Sequence, residues 1–449
     1  MKILHLIHAH TSEMSGGAQH YLRDLMHAQR AAGLEVGLAT GSMQIRSEPG
    51  AESFDADGVS AHRLHRDDHF IDHFAQAFHP GIEALVRDLL KHERPDLVHL
   101  HHWVMLTSNI VEIAASLGIP TVCTLHDLHA SCPRCFRMNR DGAPCLEPIG
   151  VESCFECVPR YGHETKFQLA TSIEFFRDEM RAELELARDV IVSTAGTADL
   201  FAATTGIDRA RFTVLPLAYR RIFTEASPPD WPVDRDPFRF GFWGTVGRYK
   251  GAVDLVQAWI DLEDRGLARP AELHLFGGFE NPDVENEIRE LAQGHGIFLR
   301  GEILPEELGT QGLHMGVFPS RCIETHGIVL DECFELGLPC IVSEVGALAE
   351  RAGAAARRVP AGDAQALAAA MGEILADGGL WRSLQGAVPL VSSPSPEEHS
   401  ARLLEIYEGA IGSNMEPQTP DAARVLRRME QLIVQREGAQ RALHDHGPS

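Results

Sequence analysis

The sequence predicts an α/β fold of two Rossmann-like domains whose parallel sheets face each other across a cleft. Three observations lead there. Strand and helix signals alternate through the first part of the chain, which implies βαβ units and parallel pairing. The alternation stops at a stretch rich in Pro and Asp, residues 224–237, and then restarts. The length, 449 residues, is too great for one ordinary domain and suits two of about 200 residues each.

Taken in order, Lys2 to Ile7 is the first strand, and a loop with Ser15, Gly16 and Gly17 follows. Ala18 to Ala32 reads as a helix with Tyr21, Leu22, Leu25 and Met26 on one face. Gly33 stops it, and Glu35 to Ala39 begins another strand. From Gln44 to Phe78 periodicity is weak and charges and histidines are frequent. A long loop, or a loop with short helices, is expected there. Asp96 to Leu100, Thr121 to Leu125 and Asp189 to Ser193 are further strands. Beyond the linker, strands are expected at Phe238 to Trp243, Glu272 to Phe276, Ile297 to Leu299, Met315 to Phe318 and Pro339 to Val342, with a helix at Ala252 to Glu263. Glu397 to Ile411 and Asp421 to Leu443 are helices. In the last, Ala422, Leu426, Met429 and Ile433 have heptad-like spacing until Arg436 and Gln440 break the seam. A solvated amphipathic helix, docked on its own domain or frayed, is expected, with self-association as the alternative use.

Composition bounds the function. Hydrophobic residues are 44% and charged residues 23%, which suits a globular chain with a full core. Against 40 Lys+Arg stand 64 Asp+Glu, a formal net charge of −24. Such a surface repels nucleic acid and anionic lipid, so no nucleic-acid partner and at most peripheral membrane contact are expected. No stretch has the ~18 uninterrupted apolar residues of a membrane helix. The opening, MKILHLIHAH, reads as a strand rather than a secretory signal. The expected compartment is cytoplasmic, with the inner membrane face as a peripheral location.

The strongest chemical constellation is PSRCIETHGIVLDECFELGLPCIVSEVGALAE, Pro319 to Glu350. Glu324 lies in a loop after a strand, and Glu332 lies on the helix that Gly327, Ile328 and Val329 open. Free N–H groups and the positive dipole at that helix start suit a phosphate. A carboxylate on the helix can hold the two hydroxyls of a ribose, and one in the loop can hold sugar hydroxyls. Two glutamates at this spacing are by themselves usually helix surface. The flanking text changes that weighting.

With these residues the chain resembles the retaining glycosyltransferases of the GT4 family, which have the GT-B fold. Pro319-Ser320, Glu324, Gly327, Glu332, Gly337, Pro339 and Ile341 carry the resemblance. So do HLFGGFE at 274–280, IFLRGEILPEEL at 297–308, GFWGTVGRYKGAVDLVQAW at 241–259, and in the first half GGAQHYLRDLMHAQRAAGLEV and DLVHLHH. It implies an acceptor-side domain at 1–222 with a Cys-rich insertion at 128–160, and a nucleotide-sugar donor domain at 236–395. A helix at 396–412 then packs back, and a helical tail occupies 413–449. Lys250, with Arg248 nearby, would pair with the donor diphosphate and offset the charge developing on the leaving group. Many members carry Arg after the glycine matching Gly244, where this chain has Thr245; Thr325 and His326 also depart from the usual pattern. Cations at a helix start oppose its dipole, which favours a functional role for Arg248 and Lys250 over two solvated charges.

His126 follows a strand and matches a family histidine whose implied role is to contact the transferred sugar. A lone histidine is more often structural; position and match reverse that here. His99, His101 and His102 are left open. Gly16 and Gly17 would form the tight loop under donor phosphates or acceptor, though any βα turn needs glycine.

Cys132 and Cys135 form a C-x-x-C pair, as do Cys154 and Cys157, with 18 residues between the pairs. That spacing fits paired zinc knuckles, so a structural Zn²⁺ on four thiolates is expected, with disulfides or free thiols as alternatives. Cys145 and His129 are further donors in the same segment. Arg134, Arg137 and Arg140 there are expected to form a solvated face, the alternative being recognition of an anionic acceptor.

The function expected is retaining transfer of a sugar from a nucleotide-diphosphate sugar to a hydroxyl of a glycan, glycolipid or small molecule. Its place is glycan, polysaccharide or glycolipid biosynthesis. The resemblance implies that no metal cofactor is needed for catalysis. His126 and Glu324 are the candidate catalytic residues. Gly16, Gly17, Arg248, Lys250, Gly327, Ile328, Val329 and Glu332 are the candidate donor contacts. The alternatives are a sugar-nucleotide epimerase on the same architecture and a non-catalytic binding protein using the Cys-rich loop.

Overall fold

The computed structural model describes all residues except 15, 69–77, 161–163, 224–227, 234, 391, 413–414 and 446–449, with side chains described up to residue 434. Parts of the long loop expected before Phe78 and of the linker expected near 224–237 lie outside the described residues. The chain forms two compact units. One comprises Met1–Cys135, Leu146–Ala218 and Pro396–Ser449, the other Phe136–Cys145 and Tyr219–Ser395.

The first unit opens with β1 (Lys2–Ile7), α1 (Gly17–Ala31), β2 (Glu35–Thr40), β3 (Gly50–Ala56), β4 (Val59–His65), α2 (Pro80–Glu93) and β5 (Leu97–Leu100). It continues with α3 (Ile110–Ser116), β6 (Thr121–Thr124), α4 (Val151–Cys154), α5 (Lys166–Leu186), β7 (Asp189–Val192), α6 (Ala195–Thr205) and β8 (Phe212–Val214). The strand order is β3-β4-β2-β1-β5-β6-β7-β8. All pairs are parallel except the hairpin β3–β4.

That hairpin corrects the expectation of a loop between Gln44 and Phe78. Ala56 pairs with Val59, so the turn is Asp57-Gly58, both at positive φ, 53° and 79°. Asp-Gly in such a two-residue turn matches the right-handed twist of the flanking strands. Burial alternates along β3, where Asp55 is exposed and Glu52 only partly buried, so its charges read as those of a loop.

The second unit has β9 (Phe238–Trp243), α7 (Ala252–Arg265), β10 (Ala271–Phe276), α8 (Pro282–Leu291), β11 (Ile297–Gly301) and β12 (Met315–Phe318). Then come α9 (Val329–Glu335), β13 (Cys340–Ser343), α10 (Gly346–Ala352), β14 (Ala356–Val359), α11 (Ala364–Ala376) and α12 (Gly378–Gln385). The sheet is parallel throughout, in the order β11-β10-β9-β12-β13-β14. Phe238, Phe240, Trp259 and Trp381 fill its core.

The chain then completes the first unit with α13 (Pro396–Gly412) and α14 (Ala422–Asp445). Helix α13 buries Leu403 and Tyr407 in the core that holds Ile3, Leu25 and Leu97. Helix α14 turns its charges inward. Arg424 and Arg428 pair with Glu112 and Glu179, whereas Leu426, Met429 and Ile433 are exposed.

Both sheets have a topological switch point. In the first unit the chain leaves β1 toward β2 and returns on the other side as β5; in the second it leaves β9 toward β10 and returns as β12. Ligands of open α/β sheets bind beyond the carboxyl ends of the strands at such points.

Candidate functional site

In the second unit, the switch point brings the loop after β9 against the segment after β12. Gly251 makes this possible. It has φ 74°, and a Cβ there would lie 2.0 Å from the Pro319 carbonyl oxygen. The Tyr249 carbonyl accepts from the backbone N–H groups of Arg321 and Cys322 at 2.9 and 3.0 Å. Arg321 in turn donates twice to Asp254 on α7, both at 2.5 Å. The result is contact between the Lys250 ammonium and the Glu324 carboxylate, which also accepts from Ser320 at 3.1 Å. Burial favours the neutral amine, but Glu324 more than offsets it and holds Lys250 above its ordinary value.

A second pair spans the same strands. Trp243, the last residue of β9, donates its indole N–H to Glu332 on α9 at 2.7 Å. Burial pushes the Glu332 carboxyl up to about 7, the indole and nearby acids being smaller influences. Gly327, at φ 73°, precedes α9 and leaves no room for a Cβ, which would meet Leu348 at 2.4 Å. The first helical bonds run from Leu330 to the Gly327 carbonyl and from Asp331 to the Ile328 carbonyl. The N–H groups of Ile328 and Val329 therefore precede the helix's own ladder.

Arg248 lies apart from this pairing. Its guanidinium is engaged by Glu287, on α8, and is more than half exposed. Thr245, where an arginine is common in the family, interacts through its side chain with the Tyr249 hydroxyl. The Phe136 ring stacks on Tyr249 with centroids 4.9 Å apart. Phe136 had no motif to announce it.

His326 joins a buried brace and is not free to face a ligand. Its Nε2 lies 3.1 Å from Asp331, and Arg351 on α10 donates to the other Asp331 oxygen at 2.6 Å. Arg351 also donates to the carbonyls of His326 and Gly327 at 2.8 and 3.1 Å. Ser392 donates to Asp331 at 2.6 Å. Sequence reasoning missed Asp331 and Arg351 because nothing local marks a pair 20 residues apart.

In the first unit, Gly16 is extended and caps α1, with Gly17 its first residue. A Cβ on Gly16 would meet Gln19 at 2.8 Å, and the Gln19 amide donates to His8 Nε2 at 2.7 Å. His126 follows β6, its Nε2 2.9 Å from His101 Nδ1, its ring 5.0 Å from that of Tyr21. Next to it, Asp127 accepts from His102 at 2.9 Å. Burial pushes Asp127 up, but His102 and His129 outweigh it and hold the carboxyl far below its ordinary range.

None of the nine cysteines is in a disulfide. Cys135 Sγ is 3.4 Å from His129 Nδ1, and Arg134 donates to Cys157 at 3.5 Å, so the two C-x-x-C pairs are neighbours. Among the described residues no three of the sulfurs of Cys132, Cys135, Cys154 and Cys157 lie within 4.8 Å of one another. Arg137 is buried rather than part of a solvated face, only 2% exposed.

Two α/β sheets, parallel apart from the β3–β4 hairpin, give the chain the GT-B fold. The comparisons agree. The signature of Glycosyltransferase Family 4 matches residues 15–219, and that of Glycosyl transferases group 1 matches residues 237–377. The 2-deoxystreptamine N-acetyl-D-glucosaminyltransferase of Streptomyces fradiae is 27% identical over 360 residues, 75% of this chain and 76% of that protein. Among solved structures, sucrose-phosphate synthase from Thermosynechococcus elongatus matches with a TM-score of 0.66 at 19% identity, covering 92% of this chain and 100% of that one. Anabaena HepE, in complex with UDP and glucose, matches with a TM-score of 0.59 at 15% identity, covering 91% and 100%. The chain is a glycosyltransferase of the GT-B/GT4 type.

Proposed function

We propose that the enzyme transfers a sugar, with retention of configuration, from a nucleotide-diphosphate sugar to an acceptor hydroxyl. The observation that carries this reading is the Lys250–Glu324 contact across the β9/β12 switch point. Lys250 has three N–H donors, enough to keep Glu324 and engage a diphosphate together. The amides of Ile328 and Val329, freed by Gly327, add donors for phosphate oxygens. Glu332 holds the ribose hydroxyls and Glu324 those of the sugar. His126 and the Gly16-Gly17 turn keep the roles the resemblance implies, contact with the transferred sugar and with phosphate or acceptor. Arg248 would have to leave Glu287 to take part. HepE holds UDP and glucose on the same fold, which supports a nucleotide-linked donor.

In this reading the leaving diphosphate takes the acceptor hydroxyl's proton as the new glycosidic bond forms on the same face. Charge on the leaving group is met by Lys250 and amide dipoles, preorganised in a site of low dielectric. The net charge of −24 favours a neutral or cationic acceptor over a polyanionic one. No described helix is long and apolar enough to cross a membrane; a cytoplasmic enzyme with at most peripheral membrane contact is part of the proposal. So is a metal on the two C-x-x-C pairs, supported by their spacing; it would have to draw together sulfurs that are not clustered among the described residues. One equivalent of zinc in anaerobically purified protein is expected, and none would remove that part.

Calorimetry with UDP, ADP, GDP and TDP and their sugars tests the main reading. Binding of one base series, lost in Lys250→Met, is expected. An isomerised sugar nucleotide formed without acceptor would instead establish an epimerase.

A further inference from the structure

Behind His126 the first unit buries a hydrogen-bonded chain of histidines. Parallel register sets it up: His5 on β1 is directly opposite His99 on β5, His101 follows β5, and His126 follows β6. His5 Nδ1 lies 3.0 Å from His101 Nε2, and His101 Nδ1 lies 2.9 Å from His126 Nε2. At the far end, His5 Nε2 lies 2.8 Å from Gln29 Oε1. Ring nitrogens of His5, His99 and His101 lie within 4.8 Å of one another, close enough to share a metal. The hydrogen bonds argue against that use. Both nitrogens of His5 and His101 are engaged in the chain, and those of His99 lie 2.6 Å from the Tyr407 hydroxyl and 2.7 Å from Thr124 Oγ1.

Burial lowers His5 to about 4 and pushes His99 and His101 well below their ordinary value, so all three are neutral at pH 7. A neutral imidazole has one N–H and one lone pair. In a chain of such rings the N–H groups must all point the same way, and the end group chooses the direction. Gln29 is that end group. Its Oε1 faces His5, and its Nε2 donates to the Tyr407 hydroxyl at 3.2 Å. His5 therefore donates from Nε2 to Gln29. His101 donates from Nε2 to His5 Nδ1, and His126 donates from Nε2 to His101 Nδ1.

We propose that Gln29, His5 and His101 are positioning residues that hold His126 as its Nε2–H tautomer. The proposal rests on the reading that His126 contacts the transferred sugar, and it deepens that reading by fixing the tautomer in which the ring is held. Gln29 takes up no proton at neutral pH, so the chain orients His126 and does not conduct protons away from it.

Long-range ¹H–¹⁵N correlation spectra of the full chain, labelled on histidine, read each tautomer directly, and His126→Asn assigns the His126 signals. A single Nε2–H pattern is expected for His126; an Nδ1–H pattern or a mixture overturns the proposal. Gln29→Met keeps the volume and removes the end group, and loss of the single tautomer is expected. An unchanged Nε2–H pattern in that variant overturns the proposal. If Gln29→Met does not fold, the spectrum of the unmodified chain decides alone. UDP calorimetry on the unmodified chain separates the two readings: absent nucleotide binding would sink the donor site and leave the tautomer result standing.

Discussion

At the scale of single residues, the proposed chemistry rests on Lys250, Glu324 and Glu332. In the proposed reading Lys250→Met removes the charge that faces the leaving group; Glu324 keeps donors in Ser320 at 3.1 Å and Cys322 at 3.8 Å. Transfer should fall by roughly 10²–10³-fold, with the far-ultraviolet spectrum unchanged, as for loss of one preorganised donor. Glu332 predicts a pH dependence. Its folded value of about 7 lies above the ordinary 4.5, so the folded state binds the proton more tightly. The stability this contributes is fully present below pH 4.5 and is lost as pH rises through about 7. Denaturant titrations should show Glu332→Gln losing less stability across this window than the parent. Some slope should survive, because burial also raises Glu183 to about 7. Nucleotide affinity should run the other way, tightening as Glu332 ionises between about pH 6 and 8 and staying flat in Glu332→Gln.

Among the elements, the loop from Glu324 to Gly327 owes its shape to α9 and α10. Arg351 ties the His326 and Gly327 carbonyls to Asp331, whose side chain is fully buried. Arg351→Met leaves that carboxylate without its guanidinium, a change that typically costs about 3–5 kcal/mol for a buried pair. Nucleotide binding should fall although Lys250 is untouched, and urea melts should show the lost stability. Helix α14 is docked through charge. Arg428, 2% exposed, meets Glu112 and Glu179. Arg428→Met should raise hydrogen exchange along α14 and at Glu112 and Glu179, leaving the second unit's protection unchanged. The heptad-like seam suggested that the apolar face would be the buried one. It is exposed because the surface beneath is acidic, and no property of residues 422–433 announces what lies on α3 and α5.

For the whole molecule, the C-terminal return is structural. Leu403 and Tyr407 are fully buried in the first unit's core, so ending the chain after residue 395 should destabilise that unit. Two-transition melting that collapses to one would show it. The alternation of strands with helices and the positions of Glu324 and Glu332 were legible in the sequence. A parallel strand buried on both faces is a short apolar run, and a βα connection needs its glycine. Chain order marked the β3–β4 turn with Asp57-Gly58 but did not reveal its strands, because a half-exposed strand carries the charges of a loop. Nor could it reveal that His326 is enclosed by Asp331 and Arg351, or that Gln29 stands at the end of a histidine chain. Local pattern determined which segments became strands and helices, since periodic burial is written residue by residue. Only the tertiary structure decided which side chains meet across adjacent strands, because register brings together residues that are neighbours in no stretch of sequence.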